Sequence, residues 1–205
     1  MGENQDRKVQ IVVADPSALG LLGLTVVTAV AASQKLGVTQ GLSFVIVWAI
    51  FLGAVAQLAA SMYDFNHNNL FGAIVFGAFG LFWLGVSSCW AISLGAFGPE
   101  LAASVDPRQM GFAFLVFLVF ALAGTVIASE LNKVLFIDMM VIDVLLFALT
   151  VNALGFGGTW AGPLAAWSEV GVSAISLYAC CGAFLNKFYG RSILPMGAPP
   201  SLLGR

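Results

Sequence analysis

Charge is what this chain has least of. Its 205 residues include eight Lys and Arg and ten Asp and Glu, 9% in all, against about 25% in an average soluble protein. Residues 70–99 carry no charged side chain at all, a run longer than the roughly 20 apolar residues a helix needs to cross a bilayer core. No basic run or patch is present to meet phosphates, which excludes nucleic acid as a partner. Histidine occurs once, as His67 in a polar stretch, and the three cysteines, Cys89, Cys180 and Cys181, lie inside apolar stretches. An odd cysteine count in such segments argues against a disulfide framework, and the thiols read as small buried hydrophobes. With one histidine there is no metal-ligand cluster, and no nucleophile–base pair is visible, so neither an enzyme nor a cofactor is expected. The polar start MGENQDRKVQ leads into long apolar stretches, so the first of these reads as a retained helix, not a cleaved signal.

What is there is apolar length. Hydrophobic residues make up 60% of the chain, and six spans can be read, over about 17–38, 43–62, 70–94, 110–129, 134–154 and 161–185. The fold expected is an all-α membrane protein: a bundle of six transmembrane helices over 17–185, with a short segment 1–16 before it and a tail 186–205 after it. The connections (DFNHNN, GPELAASVDPRQ, ELNK and GFGGTW) leave no room for a soluble catalytic unit. An even number of spans puts both termini on one side. That side collects Arg7, Lys8, Lys133, Lys187, Arg191 and Arg205, the other only Lys35 and Arg108, which predicts cytoplasmic termini in an inner membrane. Gly53, Ala56 and Ala60, and again Ala73, Gly77 and Gly80, recur at helical spacing. Such stripes let helix backbones approach closely in lipid and predict tight bundle or subunit contacts. The basic start of RKVQIVV, residues 7–13, suits a short surface segment on anionic lipid.

Several local patterns, in order along nearly the whole chain, resemble those of the acetate uptake (succinate–acetate permease) family. Asp15-Pro16-Ser17-Ala18-Leu19-Gly20-Leu21-Leu22-Gly23-Leu24 is similar to that family's N-P-A-P-L-G-L-x-G-F. Gly53, Gln57, Ala60 and Asp64 fit G-x-x-x-Q-x-x-A-x-x-x-E, and Asn69-x-Phe71-Gly72 with Phe79-Gly80-x-Phe82-Trp83 fits N-x-F-G and Y-G-x-F-W. Leu185-Asn186, Gly190-Arg191 and Leu194-Pro195-x-Gly197 fit L-N-x-x-x-G-R-x-x-L-P-x-G. The resemblance implies six helices per subunit, a homo-hexamer, and a pore in each protomer for small carboxylates such as acetate. It also implies a hydrophobic neck at Leu24, Phe79 and Ile142. The chain departs from the family in having Leu for Phe at 24, Phe for Tyr at 79, Asp for Asn at 15 and Ala for Pro at 18. These departures bear on the substrate more than on the fold.

Individual residues sharpen the expectation. Asp15-Pro16 reads as a helix start, Asp at the N-cap and Pro at the first helical position. The same helix end can face the permeation path, where an Asp would repel an anion if ionised and donate a hydrogen bond if protonated. Asn69 caps the third span and can line an entrance in the same way. Asp138, Asp143 and Glu169 are the acids within spans, and such groups face protein or water. Asp138 and Asp143 stand roughly 140° apart around a helix. Asp143, next to Ile142, is the better candidate for a proton site. No Arg lies in the spans and Lys35 stands only near an end. A carboxylate must therefore cross as the neutral acid or be held by helix ends, hydroxyls and amides, among which Thr25, Thr28, Gln57, Ser87 and Tyr178 are candidates. Packing is the default role for Phe82 and Trp83, and Trp160 and Trp167 read as interfacial anchors.

The expected function is a channel or permease for small monocarboxylates or their acids, with lipid and the carboxylate as partners. Urea and amide channels share the six-helix, six-subunit architecture, so a neutral solute (urea, an amide or ammonia) is the first alternative. An assembly subunit of a larger membrane complex, without transport, is the second.

Overall fold

The computed structural model describes residues 13–204. The readings made on Arg7, Lys8, most of the surface segment 7–13 and Arg205 lie outside the described residues. Six helices there are long and apolar enough to cross a membrane: α1 (Ser17–Lys35), α2 (Ser43–Asn66), α3 (Leu70–Ser93), α5 (Arg108–Ala128), α6 (Lys133–Ala153) and α7 (Ala161–Tyr189). A short helix α4 (Pro99–Ala103) lies between α3 and α5. At 1.5 Å per residue the shortest span runs about 28 Å and the longest about 43 Å, against a hydrocarbon core of about 30 Å.

Local chemistry sets the ends. Asp15 Oδ1 accepts from Ser17 N at 3.0 Å, and Pro16 already has helical dihedrals. Asn69 Oδ1 accepts from Gly72 N at 3.3 Å and Asn132 Oδ1 from Leu135 N at 2.9 Å, so α3 and α6 begin on asparagine caps. α7 ends at Tyr189, four residues beyond the expected 185, because Gly190 takes the left-handed conformation (φ 61°) that closes a helix. α2 differs most from expectation. It runs on to Asn66, and its middle, Ala49–Ala56, is a π-helix. Gly53 lies in that stretch, where a Cβ would sit 2.8 Å from Trp83 Cγ and 3.1 Å from Val27 Cγ2. Gly77 and Gly80 abut Ser61 and Leu58 in the same way. The small-residue stripes therefore serve contacts inside the subunit, between α2, α3 and α1.

Neighbour packing joins the spans in a ring, in the order α1, α2, α3, α5, α6, α7 and back to α1. Polar links stitch it. Ser61 Oγ donates to Ala73 O at 2.6 Å between α2 and α3, and Thr125 Oγ1 to Asp143 Oδ2 at 2.7 Å between α5 and α6. Ser176 Oγ donates to Asp138 Oδ2 at 2.6 Å between α7 and α6, and Ser173 Oγ to Thr25 O at 2.9 Å between α7 and α1. Such bonds hold helices together where lipid removes the hydrophobic drive to associate. The three cysteines are free thiols. After α7 the chain folds back across the bundle end. Asn186 bonds Ile193 and Leu194, Val134 N donates to Met196 O, and Ser201 N donates to Ser129 O.

Candidate permeation site

Three helix starts converge on one end of the ring, the end at which the described residues begin and end. A cavity of about 330 Å³ opens there. Its rim carries Ser17 at the start of α1, Asn69 and Gly72 at the start of α3, and Asn132 at the start of α6. The N–H groups and dipoles of three helix ends thus surround one opening, an arrangement favourable to a carboxylate or a carbonyl oxygen. Deeper in, the walls become apolar, and Leu24, Phe79 and Ile142 all line the cavity. Each is at most 8% exposed, and all belong to one buried cluster. Phe79 sits among aromatic rings, with centroids 6.1 Å from Phe82, 6.1 Å from Phe117 and 6.3 Å from Phe120.

Beyond these rings, toward the other end of the bundle, lies a second cavity of about 300 Å³. Phe82, Trp83 and Phe114 border it from the bundle interior, and Lys35, Asn152 and Glu169 give it polar walls. The molecule thus presents two vestibules at opposite ends, with stacked apolar side chains between them. A constriction of this kind passes solutes that shed water cheaply and holds back hydrated ions.

Two polar side chains enter the first vestibule below its rim. Gln57, buried at the end of the π stretch, lines the cavity and donates through Nε2 to Gly53 O at 2.8 Å. Asp138, 3% exposed, also lines it; Ser176 serves Oδ2, and Oδ1 is buried without a hydrogen-bond partner. Asp143 lies elsewhere: it turns to α5, where Thr125 bonds it, and does not line the cavity. The sequence held the signal that separates the two acids. Asp138 is four residues before Ile142 and shares its face, whereas Asp143, one residue on, is rotated by about 100°.

The remaining candidates divide. Asn69 bridges the rim to α2, its Nδ2 donating to Asp64 Oδ1 at 2.9 Å. Asp15 is exposed at the start of α1, outside the cavity lining. Partial burial pushes its carboxyl up, but hydrogen bonds from Ser17 and the nearby Lys187 and His67 outweigh this and hold it below the ordinary value. Thr25 is buried against α7 with its Oγ1 unpartnered, and lines neither vestibule. Tyr178 donates to Pro195 O at 2.9 Å and so anchors the returning tail. Thr28 and Ser87 bond carbonyls of their own helices. Asn132, Asp138, Phe114 and the Lys35–Glu169 ion pair complete the two vestibules, and the sequence reading singled out none of them as site residues. Among the described residues no three His, Cys, Asp or Glu side chains gather into a metal-binding group.

Residues 4–190 match the GPR1/FUN34/yaaH family. The succinate-acetate/proton symporter SatP of Escherichia coli strain K12 is 27% identical over 189 residues, covering 90% of this chain and 95% of its own. The glyoxylate pathway regulator of Yarrowia lipolytica is 30% identical over 166 residues, covering 75% of this chain and 60% of its own. The solved structure of the bacterial acetate channel SatP superposes with a TM-score of 0.83 at 24% identity, covering 91% of this chain and 100% of the other.

Proposed function

The chain belongs to the GPR1/FUN34/yaaH family, and from that premise we propose that it is a multi-pass membrane permease for acetate-like monocarboxylates. One observation carries the reading: three apolar side chains, Leu24, Phe79 and Ile142, line the depth of a cavity whose rim is built from helix N-termini. The rim attracts a carboxylate, Gln57 and Asp138 offer hydrogen bonds below it, and the neck admits what can cross nearly dry. As its acid, Asp138 donates to a carboxylate; as its anion it opposes one. The species that crosses the neck is the protonated acid.

On the same reading the subunits assemble as a homo-hexamer, and the termini face the cytoplasm. Of the cations on the far side, Lys35 pairs with Glu169 and Arg108 with Asp106, so that side offers anionic lipid little positive charge. The experiment is labelled acetate uptake into proteoliposomes, set against protein-free liposomes, as external pH is lowered. Uptake in excess of the lipid leak, rising as pH falls, is expected. Urea flux with no excess acetate uptake would replace the reading with a neutral-solute channel.

A further inference from the structure

The second vestibule holds an ion pair whose bonding is half complete. Lys35, the last residue of α1, reaches Oε1 of Glu169 on α7, and both line the cavity. The Glu169 side chain is 1% exposed and that of Lys35 25%. Oε2 of Glu169 is buried and has no hydrogen-bond partner. A buried ion pair offsets the loss of water only when further hydrogen bonds complete both groups. This one leaves half a carboxylate unserved, which is poor construction for a structural staple. It is good construction for a place where a proton lands.

We infer that Lys35 and Glu169 form an exchange site on the side away from the termini, where a monocarboxylic acid hands its proton to Glu169 and its carboxylate takes Glu169's place on Lys35. The inference rests on the permease reading and adds to it the site of coupling. The balance is simple. Before the exchange the site holds one ammonium and one carboxylate, and the acid is neutral. Afterwards the O–H bond of the acid is broken and one has formed at Glu169 Oε2. The ammonium then faces the solute's carboxylate, and the net charge is zero throughout. A carboxylate arriving without a proton would strand a second anion in a site with one cation, which the buried surroundings oppose.

Among the described residues, no other titratable group lines the cavity with this pair. α1 contributes Lys35 and α7 contributes Glu169; the walls from α3, α5 and α6 are otherwise apolar or aromatic, among them Trp83, Trp90, Met110 and Phe114, with Asn152 the one polar side chain among them. The half-buried Asp106 and the exposed Arg108 flank Pro107 at the rim and pair with each other.

The test is acetate binding to the purified full chain at a series of pH values, read from the change in tryptophan fluorescence, to which Trp83 and Trp90 of the cavity wall contribute among the chain's five tryptophans, with wild-type uptake into proteoliposomes measured beside it. Because one proton enters with each carboxylate, the wild-type dissociation constant for acetate rises about tenfold per pH unit above neutrality. Glu169→Gln keeps a partner for Lys35 but needs no proton, so its profile is flat. Lys35→Gln with Glu169→Gln, which leaves no buried charge, binds about tenfold or more weakly than wild type, again with a flat profile. That double variant decides should the single one not fold. A tenfold slope retained in Glu169→Gln, or wild-type affinity in the double variant, overturns the exchange. Wild-type uptake with a flat binding profile overturns the exchange alone, whereas wild-type uptake no greater than the lipid leak sinks the permease reading itself.

Discussion

Phe79→Ala tests the neck with two readouts that move in opposite directions. Phe79 is 4% exposed, with three aromatic rings 6.1–6.3 Å away. Truncating a buried phenylalanine costs about 3–5 kcal/mol, so the variant should melt earlier in detergent. The ring it loses leaves room for more than one water, at about 30 Å³ each. A permeant that keeps one hydrogen bond to water through the widened neck regains about 1.5–3 kcal/mol when its acceptor is charged. Each 1.4 kcal/mol of barrier is a factor of ten in rate, so acetate uptake should rise by about 10- to 100-fold. The rise should be largest at high pH on the termini side, where the charged form dominates. The assay is labelled acetate uptake by variant and wild type reconstituted at equal protein, after each elutes as a single species. A folded variant that melts earlier yet transports within twofold of wild type would show that Phe79 packs the bundle and does not close the path.

Other positions give separate checks. Asp138→Leu, similar in size but without a polar atom, should raise the KM for acetate about tenfold, the worth of one hydrogen bond of about 1.4 kcal/mol; Asp138→Asn, still able to donate, should stay near wild type. Gly53→Ala places a Cβ 2.8 Å from Trp83 Cγ and should lower stability by about 1–3 kcal/mol, measured as an earlier thermal transition in detergent. Asp15→Ala, which removes the acceptor for Ser17 N, should cost about 0.5–2 kcal/mol. Because the folded carboxyl titrates below its ordinary value, that difference should persist at all pH values above about 3.9 and vanish as pH falls through the lower folded value; melting of both proteins against pH reads it.

The spans were legible because apolar length and cap residues report the same boundaries. Asn69 and Asp15 both mark helix starts in the sequence; in the structure Asn69 caps α3, whereas Pro16, not Asp15, takes the N-cap position of α1 and Asp15 accepts from Ser17 N just before it. The π stretch in α2 was not legible. Ala49–Ala56 reads as ordinary apolar helix, and its altered register shows only where Gln57 turns to the Gly53 carbonyl and Gly53 meets Trp83. Family likeness pointed to Leu24, Phe79 and Ile142, and they line one cavity. It could not pair Lys35 with Glu169, residues 134 positions apart, because nothing local in either segment refers to the other. Tyr178 illustrates the opposite limit. Its hydroxyl suited a pore by type, but the returning tail, which no periodicity foretold, claims it through Pro195.

The two vestibules differ in what they demand of a solute, and the difference has a mechanical consequence. At the end with the termini, the helix N–H groups are fixed and carry only partial charge, so a carboxylate can arrive there with or without its proton. At the other end the ion pair admits a carboxylate only with a proton. Acid entering from the ion-pair side is therefore screened before it reaches the neck, whereas solute entering from the termini side is screened at the neck itself. Removing the neck by Phe79→Ala should thus relax pH dependence for flux that starts at the termini side and leave it in place for flux that starts at the ion pair. Right-side-out and inside-out vesicles carrying the variant make the comparison. Equal loss of pH dependence in both orientations would mean that the neck alone excludes the anion and that the ion pair only holds α1 to α7.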